Sequence, residues 1–297
     1  MAFKWNFRGL GTAIVTPFDE DLSLDLGSFE RLLLRQLEHG VTCIIPCGTT
    51  GENPTLSEEE WEKLVSVSVR IVSGKGLVVA GAGSNDTQRT INRCKKAFDL
   101  GVDAVLVVTP YYNKPTQEGL FHHFKQVANF VKGPLILYNV PGRTGVNILP
   151  DTVLKIAREC ENVVGIKESS GNIGQIMELI SKKPKDFFVY SGDDYLTFPM
   201  MTLGGDGVIS VVSNEMPTEM KQLVDLCLNE DFAKARILHY RLLPLMEGNF
   251  LETSPGPVKY VLSKLGLLKE VLRPPLVPIS KSTREKLDQI VSELELV

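Results

Sequence analysis

A lysine that follows an apolar, strand-like run is the residue in this sequence best suited to covalent chemistry. Lys167 comes directly after Val163–Ile166, a run in which Gly165 leaves space beside the chain. The pKa of a free lysine amine is about 10.4, but burial disfavours the ammonium form and leaves a nucleophilic nitrogen. Such an amine can form an imine with a ketone. Position alone leaves Lys167 open between this role and an ordinary solvated charge, since most lysines lie on the surface.

A tyrosine and two threonines stand at comparable positions. Tyr138 ends an earlier apolar run, so its phenol could move protons during imine formation. Tyrosines are also routine core residues with one satisfied hydroxyl, and position alone favours that role. Thr49 and Thr50 lie between two glycines and combine hydroxyls with accessible N–H groups, an arrangement that suits a small carboxylate. Glycine-rich turns of this kind also occur without a function.

Charged side chains after other apolar runs add candidate ligands. Arg143 follows a Pro-Gly turn and keeps its charge, so it could bind a substrate carboxylate as a fork or form a surface salt bridge. Asp193 and Asp194 follow a Ser-Gly turn, where adjacent carboxylates more often cap the next helix than perform acid–base or metal chemistry. We therefore predict a structural role for both aspartates.

The candidate residues end short runs within a repeating pattern. From residue 12 to residue 228 the chain alternates β-branched runs with longer amphipathic segments, which is typical of parallel strands wound with helices. Eight such units in about 217 residues favour an α/β fold of the (β/α)₈ TIM barrel type over an open doubly wound sheet. Barrel enzymes place their active sites at the carboxyl ends of the strands. The predicted strands are Thr12–Thr16, Cys43–Pro46, Leu77–Ala80, Ala104–Val108, Leu135–Tyr138, Val163–Ile166, Phe187–Tyr190 and Gly207–Ser210.

Helix signals separate these strands and continue beyond them. Ser57 and Glu60 form a capping-box pattern, and Pro150 suits a first helical position. After residue 228, helices are predicted over 232–246, 257–265 and 283–296 with no strand between them. We predict a barrel catalytic domain over residues 1–228 and a C-terminal helical region over residues 229–297.

Composition and charge argue against several classes of protein. With 43% hydrophobic and 23% charged residues, the sequence predicts a globular protein with a substantial core. The net charge of −4 and the lack of a Lys/Arg-rich stretch argue against nucleic-acid binding. No apolar run reaches membrane-spanning length and residues 1–9 lack the apolar stretch of a secretory signal, so we expect a cytoplasmic protein. The five cysteines lack a CxxC pair and are expected to be reduced and buried.

Three motifs together carry a family resemblance. Residues 48–52 read Gly-Thr-Thr-Gly-Glu, residues 138–145 read Tyr-Asn-Val-Pro-Gly-Arg-Thr-Gly, and residues 165–168 read Gly-Ile-Lys-Glu. In this order, each at a predicted strand end, they resemble the dihydrodipicolinate synthase family of pyruvate-dependent Schiff-base aldolases over nearly the whole chain. The resemblance implies a lyase that condenses pyruvate with L-aspartate 4-semialdehyde in lysine and diaminopimelate biosynthesis, with no metal or organic cofactor.

The resemblance also implies a role for individual residues. Lys167 matches the imine-forming lysine, and Tyr138, Thr50 and Tyr112 match a proton relay in which Tyr112 reaches the active site of a neighbouring subunit. The family is homotetrameric and built from dimers, so dimerisation would complete the site. The residues that match the substrate-binding positions are Thr49, Thr50, Gly192 and Ile209 for pyruvate and Arg143 for the carboxylate of the semialdehyde.

One departure from the family pattern concerns feedback by lysine. Lysine-inhibited members carry histidines and a glutamate in an interface pocket where this chain has Glu58, Trp61 and Arg89, while Asn85 and Tyr111 match. Arg89 would repel the ammonium group of lysine and Trp61 would alter the shape of the pocket. We predict weak or absent inhibition by lysine.

Two alternatives stay open at the level of sequence. Another pyruvate-dependent aldolase, acting on a sugar acid or other aldehyde, would share the lysine and the tyrosine, and Arg143 in its Pro-Gly-Arg-Thr context favours the synthase over it. A non-catalytic barrel that binds a small acid would share only the fold. The intact lysine, tyrosines and threonine argue against that second alternative.

Overall fold

The computed structural model describes residues 5–296 and shows a closed barrel of eight parallel strands. Each strand pairs with the next along the chain, and the last pairs with the first to close the sheet. The strands are β1 (Gly9–Ala13), β2 (Cys43–Ile45), β3 (Leu77–Gly81), β4 (Ala104–Val108), β5 (Leu135–Asn139), β6 (Val163–Glu168), β7 (Phe188–Ser191) and β8 (Gly207–Ser210). The predicted (β/α)₈ barrel is confirmed.

Helices connect the strands and then continue alone after β8. Those up to the last barrel unit are α1 (Leu26–Glu38), α2 (Glu58–Val72), α3 (Thr87–Asp99), α4 (Gln117–Phe130), the short α5 (Pro141–Thr144), α6 (Pro150–Glu159), α7 (Ile173–Lys182), the short α8 (Thr197–Thr202) and α9 (Pro217–Leu228). The C-terminal helices are α10 (Phe232–Gly248), α11 (Gly256–Lys264) and α12 (Lys281–Glu293). The predicted capping box is present, because the Ser57 hydroxyl accepts from the Glu60 N–H and the Glu60 carboxylate accepts from the Ser57 N–H. The predicted segments 1–228 and 229–297 include residues 1–4 and 297, which lie outside the described residues.

The prediction for the first strand was wrong by three residues. β1 begins at Gly9 because Gly9–Thr12 pair in register with Gly207–Ser210 of β8. The chain then leaves the sheet, and the N–H of Val15 donates to Oδ1 of Asn214 at 3.2 Å. The β-branched run therefore continues past the last paired residue, which a pattern of residue types does not reveal.

The inside of the barrel is filled by apolar side chains and closed at its amino end by Trp5. The indole N–H of Trp5 donates to the Tyr190 hydroxyl at 2.9 Å, and that hydroxyl donates to the Phe7 carbonyl at 2.6 Å. Tyr190 and Ile209 are both buried in this inner cluster. A filled interior confines any substrate to the opposite mouth.

All five cysteines are free and buried, as predicted. Burial raises the pKa of Cys94 to about 12 and that of Cys227 to about 11. Burial also raises the pKa of Cys43, Cys47 and Cys160. Among the described residues, no helix combines the length and the apolar character that crossing a bilayer requires.

A fully buried ion pair joins α11 to the turn after β2. The ammonium of Lys259 donates to Oε1 of Glu52 at 2.6 Å and to the Thr16 carbonyl at 2.9 Å. Both side chains of the pair are at most 1% exposed. The other carboxylate oxygen of Glu52 accepts the backbone N–H of Arg273 at 3.0 Å. These contacts fix a turn in which Glu52 has a left-handed φ of +53°, a conformation that is costly for a residue with a side chain.

Substitution of Lys259 tests how far the fold depends on this pair. We expect Lys259→Met to lower the free energy of unfolding by about 3–5 kcal/mol, because the Glu52 carboxylate would stay buried without its cation. The double variant Glu52→Gln/Lys259→Met should recover most of that loss, since it leaves no isolated charge. Denaturant unfolding measures both effects. Lys281→Met, at a pair that is 91% and 67% exposed, is the control and should change little; equal losses in Lys259→Met and the double variant would contradict the prediction.

Candidate active site

Lys167 lies in the barrel wall with its side chain directed to the inner face of the carboxyl mouth. It continues β6 beyond the predicted end at Ile166, because it pairs in register with Tyr138 of β5 and Tyr190 of β7. Only 5% of Lys167 is exposed. Its Nζ lies 4.5 Å from the centroid of the Tyr138 ring. The lysine predicted from the sequence to be desolvated is therefore buried, beside the predicted tyrosine.

Tyr138 places an uncommitted hydroxyl next to this amine. The side chain is 6% exposed and belongs to the inner cluster of the barrel. Its ring also lines a cavity at the mouth. No residue between 5 and 296 forms a hydrogen bond with the phenol, so the hydroxyl is available to a ligand.

A glycine makes room for the lysine side chain. Gly192 follows β7, and its N–H donates to the Glu168 carbonyl at 2.9 Å. A Cβ atom at this position would lie 2.8 Å from Cε and 3.0 Å from Cγ of Lys167 and would overlap Oγ of Ser169. Any side chain at residue 192 would thus displace the lysine or the serine.

Glu168 holds the end of β6 from the outer face of the barrel. Side chains alternate along a strand, so Glu168 points away from the side that Lys167 occupies. Its buried carboxylate accepts from the Asn139 side chain at 3.0 Å and from the Ser170 N–H at 2.6 Å. Burial raises the pKa of Glu168, and the hydrogen bonds from Ser170 and Asn139 oppose that rise. The network ties β5, β6 and the following loop together beneath the lysine.

Two cavities open at this mouth and share Arg143. The first, of about 420 Å³, is lined by Thr49, Tyr111, Tyr138 and Arg143 among others. The second, of about 640 Å³, is lined by Arg143, Ser169, Asp193 and Tyr195 among others. Lys167 lines neither, but Tyr138 lines the first and Ser169 lines the second. The amine therefore lies beside a residue that lines the first cavity, and the Lys167 side chain shares its contact at Gly192 with a residue that lines the second.

Arg143 lies in the short helix α5 and is exposed at the mouth. Its guanidinium donates to the Ser254 carbonyl at 3.3 Å, and it forms no ion pair within residues 5–296. The surface salt bridge that the sequence left open is not formed. Most of the guanidinium donors stay free for an anionic ligand.

The Gly-Thr-Thr-Gly turn presents one threonine to the cavity and buries the other. Thr49 lines the first cavity, whereas Thr50 is 4% exposed and lines neither cavity. The carbonyl of Thr49 accepts the Glu52 N–H at 3.1 Å. The backbone N–H groups of Thr49 and Thr50 donate to no acceptor between residues 5 and 296. Such unpaired, adjacent N–H groups form a place for an anion.

The sequence matches known proteins over nearly the whole chain. The model of the dihydrodipicolinate synthetase family matches residues 6–294. The chain belongs to this family.

Individual relatives cover almost the full length. The 4-hydroxy-tetrahydrodipicolinate synthase of Koribacter versatilis is 48% identical over 96% of this chain and 95% of its own. The crystal structure of dihydrodipicolinate synthase from Thermotoga maritima is 50% identical, covers 98% of this chain and 99% of its own, and superposes with a TM-score of 0.96. The chloride-inhibited enzyme from Acinetobacter baumannii, complexed with pyruvate, is 40% identical, covers 98% of this chain and 100% of its own, and has a TM-score of 0.96.

The two remaining residues implied by the family resemblance differ in exposure. Ile209 lies in β8, 2% exposed, within the inner cluster. Tyr112 is 90% exposed, lines neither cavity, and has a left-handed φ of +72°. Its neighbour Tyr111 lines the first cavity instead. Within one chain, Tyr112 is thus not brought together with Lys167 and Tyr138.

The aspartate pair is only partly where the capping prediction put it. Asp193 stands at the N-cap position of the 3₁₀ turn 194–196, but neither aspartate side chain forms a capping hydrogen bond to that turn or to the helix that follows it. Oδ2 of Asp194 instead accepts the N–H groups of Val211 and Val212, at 2.8 and 3.0 Å. Asp194 is structural, but it holds the backbone after β8 rather than a helix start. Asp193 faces the second cavity, and its place directly after the strand-end glycine was the signal that could have identified it.

Gly192→Ala tests the steric requirement at the lysine. We expect the added methyl group to shift Lys167 and to slow imine formation with pyruvate by about 100-fold, the order of loss that a misplacement of 1 Å produces. Borohydride trapping followed by intact mass measurement reports the rate. Gly27→Ala is the matched control, because a Cβ there comes no closer than 3.5 Å to its neighbours. An unchanged trapping rate in Gly192→Ala would contradict the assigned role of this glycine.

Proposed function

We propose that this chain condenses pyruvate with L-aspartate 4-semialdehyde through an imine on Lys167, giving 4-hydroxy-tetrahydrodipicolinate for lysine and diaminopimelate biosynthesis. The observation that carries the proposal is the buried amine of Lys167, 4.5 Å from the ring of Tyr138, at the mouth of the barrel. The names of the relatives support the reaction, and the pyruvate complex of the Acinetobacter baumannii enzyme supports the first substrate.

The first stage converts pyruvate into a carbon nucleophile. The Lys167 nitrogen attacks the ketone carbon, and water leaves as the C=N bond forms. The positive imine nitrogen acidifies the methyl group, whose proton departs to give an enamine. Tyr138 has the free hydroxyl and the position to carry these protons. The N–H groups of Thr49 and Thr50 hold the pyruvate carboxylate, with Gly192 and Ile209 at the walls.

The second stage joins the two substrates and releases the lysine. The enamine carbon adds to the aldehyde carbon, and the aldehyde oxygen takes up a proton to become the hydroxyl of the product. The amine of the substrate then displaces Lys167 and closes the ring. Substrate atoms and Lys167 account for every bond change, so this scheme calls for no metal or organic cofactor.

The relay of protons involves a threonine and a second tyrosine. By family resemblance these are Thr50 and Tyr112, with Tyr112 supplied by a neighbouring subunit. The exposed aromatic ring of Tyr112 supports such an exchange, because 90% exposure leaves it available to a partner. Thr49 shares the first cavity with Tyr138 and Tyr111, so its hydroxyl is the better placed of the two threonines within this chain. We further propose that the chain forms a homotetramer built from dimers and that it works in the cytoplasm.

Trapping with pyruvate tests the proposal most directly. Borohydride reduction in the presence of pyruvate should attach a three-carbon acid to the peptide that contains Lys167 and to no other. Lys167→Met should abolish the adduct, whereas Lys281→Met, at a lysine that is 91% exposed, should leave the adduct on Lys167. A wild-type protein that shows no adduct would overturn the proposed function.

Arg143→Ala separates the two substrates. Loss of a charge-assisted bond to the semialdehyde carboxylate is expected to cost about 1.5–3 kcal/mol, or roughly 10- to 150-fold in kcat/KM for that substrate. Imine formation with pyruvate should stay near the wild-type rate. Steady-state kinetics and trapping give the two values, and an equal loss in both would contradict the role of Arg143. The same split distinguishes the synthase from an aldolase that acts on sugar acids.

The first cavity supports the prediction of weak feedback by lysine. The Glu58 carboxylate accepts from the guanidinium of Arg93 at 2.7 Å, and the unpaired guanidinium of Arg89 lines the same cavity. Trp61 is buried and donates to the Gly81 carbonyl at 2.8 Å. A ligand ammonium entering here would meet cations and an already paired carboxylate. Strong inhibition of the purified enzyme by millimolar L-lysine would contradict this prediction.

A further inference from the structure

A carboxylate follows directly on the glycine that lies against Lys167. Asp193 is partly buried and lines the second cavity together with Arg143 and Ser169. Its backbone N–H donates to the Ser191 hydroxyl, which in turn donates to the Asp193 carbonyl. Within residues 5–296 no group donates a hydrogen bond to its side chain and none forms an ion pair with it. These bonds fix the backbone of Asp193, and its carboxylate is left without a partner on the side of the cavity.

In the part of the chain that the structure describes, no other acidic group occupies this position. Asp194 is 2% exposed, and its Oδ2 already accepts two backbone N–H groups after β8. Glu252 lines the same cavity as Asp193, but its carboxylate accepts from the N–H and the hydroxyl of Ser280 at the start of α12. Glu168 lies on the outer face of β6, engaged with Asn139 and Ser170. Asp193 alone combines a free carboxylate with access to the mouth among the described residues.

The charges around Asp193 suit it to exchange a proton. Burial raises the pKa of Asp193 to about 6, while the ammonium of Lys167 opposes that rise. The other groups that act on it are Asp194 and Glu168, which raise its pKa, and Arg143, which lowers it. A carboxyl group that titrates close to neutral pH can both accept and release a proton during turnover.

Arg143 and Asp193 present opposite charges across one cavity. The semialdehyde of the proposed reaction has a carboxylate and an ammonium on the same carbon. A guanidinium and a carboxylate that line one cavity match these two groups. We propose that Asp193 binds the ammonium group of the second substrate and removes one of its protons before ring closure. The inference rests on the proposed function and adds to it a catalytic residue with a stated step.

The step balances in protons and bonds. Asp193 takes one proton from the substrate ammonium, and the freed lone pair attacks the imine carbon attached to Lys167. One of the two remaining N–H protons moves to the lysine nitrogen, and the C–N bond to Lys167 breaks with its electron pair going to that nitrogen. The last N–H proton leaves to solvent as the C=N bond of the ring forms. Lys167 is released as the neutral amine.

A comparison of two aldehydes tests the role of Asp193. In Asp193→Asn, turnover of L-aspartate 4-semialdehyde should fall by at least about 100-fold, which is the usual contribution of a general base to the rate. The aldol adduct should then accumulate on Lys167, where borohydride traps it for mass measurement. Succinic semialdehyde lacks the amine, so its adduct should form on Lys167 in the variant at a rate close to that of the wild type. Asp193→Glu keeps the carboxylate and should retain more amine-dependent turnover than Asp193→Asn.

Control variants distinguish a wrong role for Asp193 from a wrong proposed function. Asp186→Asn alters an exposed aspartate outside both cavities and should leave all rates unchanged. Equal losses with the two aldehydes, or an unchanged turnover of the amino aldehyde, would overturn the role of Asp193. Absence of a pyruvate adduct in the wild type would instead overturn the proposed function. If Asp193→Asn does not fold, Asp193→Ser serves in the same comparison.

Discussion

The buried pair of Lys259 and Glu52 is the interaction on which the mouth of the barrel depends. Two opposite charges at most 1% exposed are stable only when each is paired and hydrogen-bonded. Here Glu52 receives Lys259 on one oxygen and the N–H of Arg273 on the other. The guanidinium of Arg273 also donates to the Thr55 carbonyl at 2.8 Å. Residues more than 200 positions away in the chain therefore fix the turn that displays the N–H groups of Thr49 and Thr50, and the C-terminal helices belong physically to the site.

The parallel register of the barrel determines the rest of the mouth. Tyr138, Lys167 and Tyr190 occupy equivalent positions on three adjacent strands, and all three point inwards. The ring of Tyr190 reaches towards the amino end, where its hydroxyl bonds to the Phe7 carbonyl. Tyr138 has no such partner among residues 5–296 and stands beside the amine. Two tyrosines at the same level of the sheet thus differ in role because one hydroxyl is committed to the backbone and the other is free.

The sequence alone was enough to predict the number of strands, because buried parallel strands are continuous β-branched runs of recognisable length. Position alone left the role of Lys167 open, and the resemblance carried by the surrounding motifs singled it out. The limits of β1 and β6 were not predictable, because pairing with the neighbours, rather than residue type, determines where a strand ends. The free carboxylate of Asp193 was missed for a related reason. Asp193 and Asp194 are identical in type and adjacent, and only the fold shows that one is held by Val211 and Val212 while the other faces a cavity.

The burial of all five thiols has a practical consequence for measuring motion at the mouth. The thiolate is the reactive form, and burial raises the pKa of every native cysteine, so alkylating labels should react with them slowly. A single cysteine introduced on the exposed surface would then be the only rapidly labelled position, with no native residue to remove first. Fluorescent or spin probes attached in this way could follow motion at the mouth in an otherwise unaltered chain.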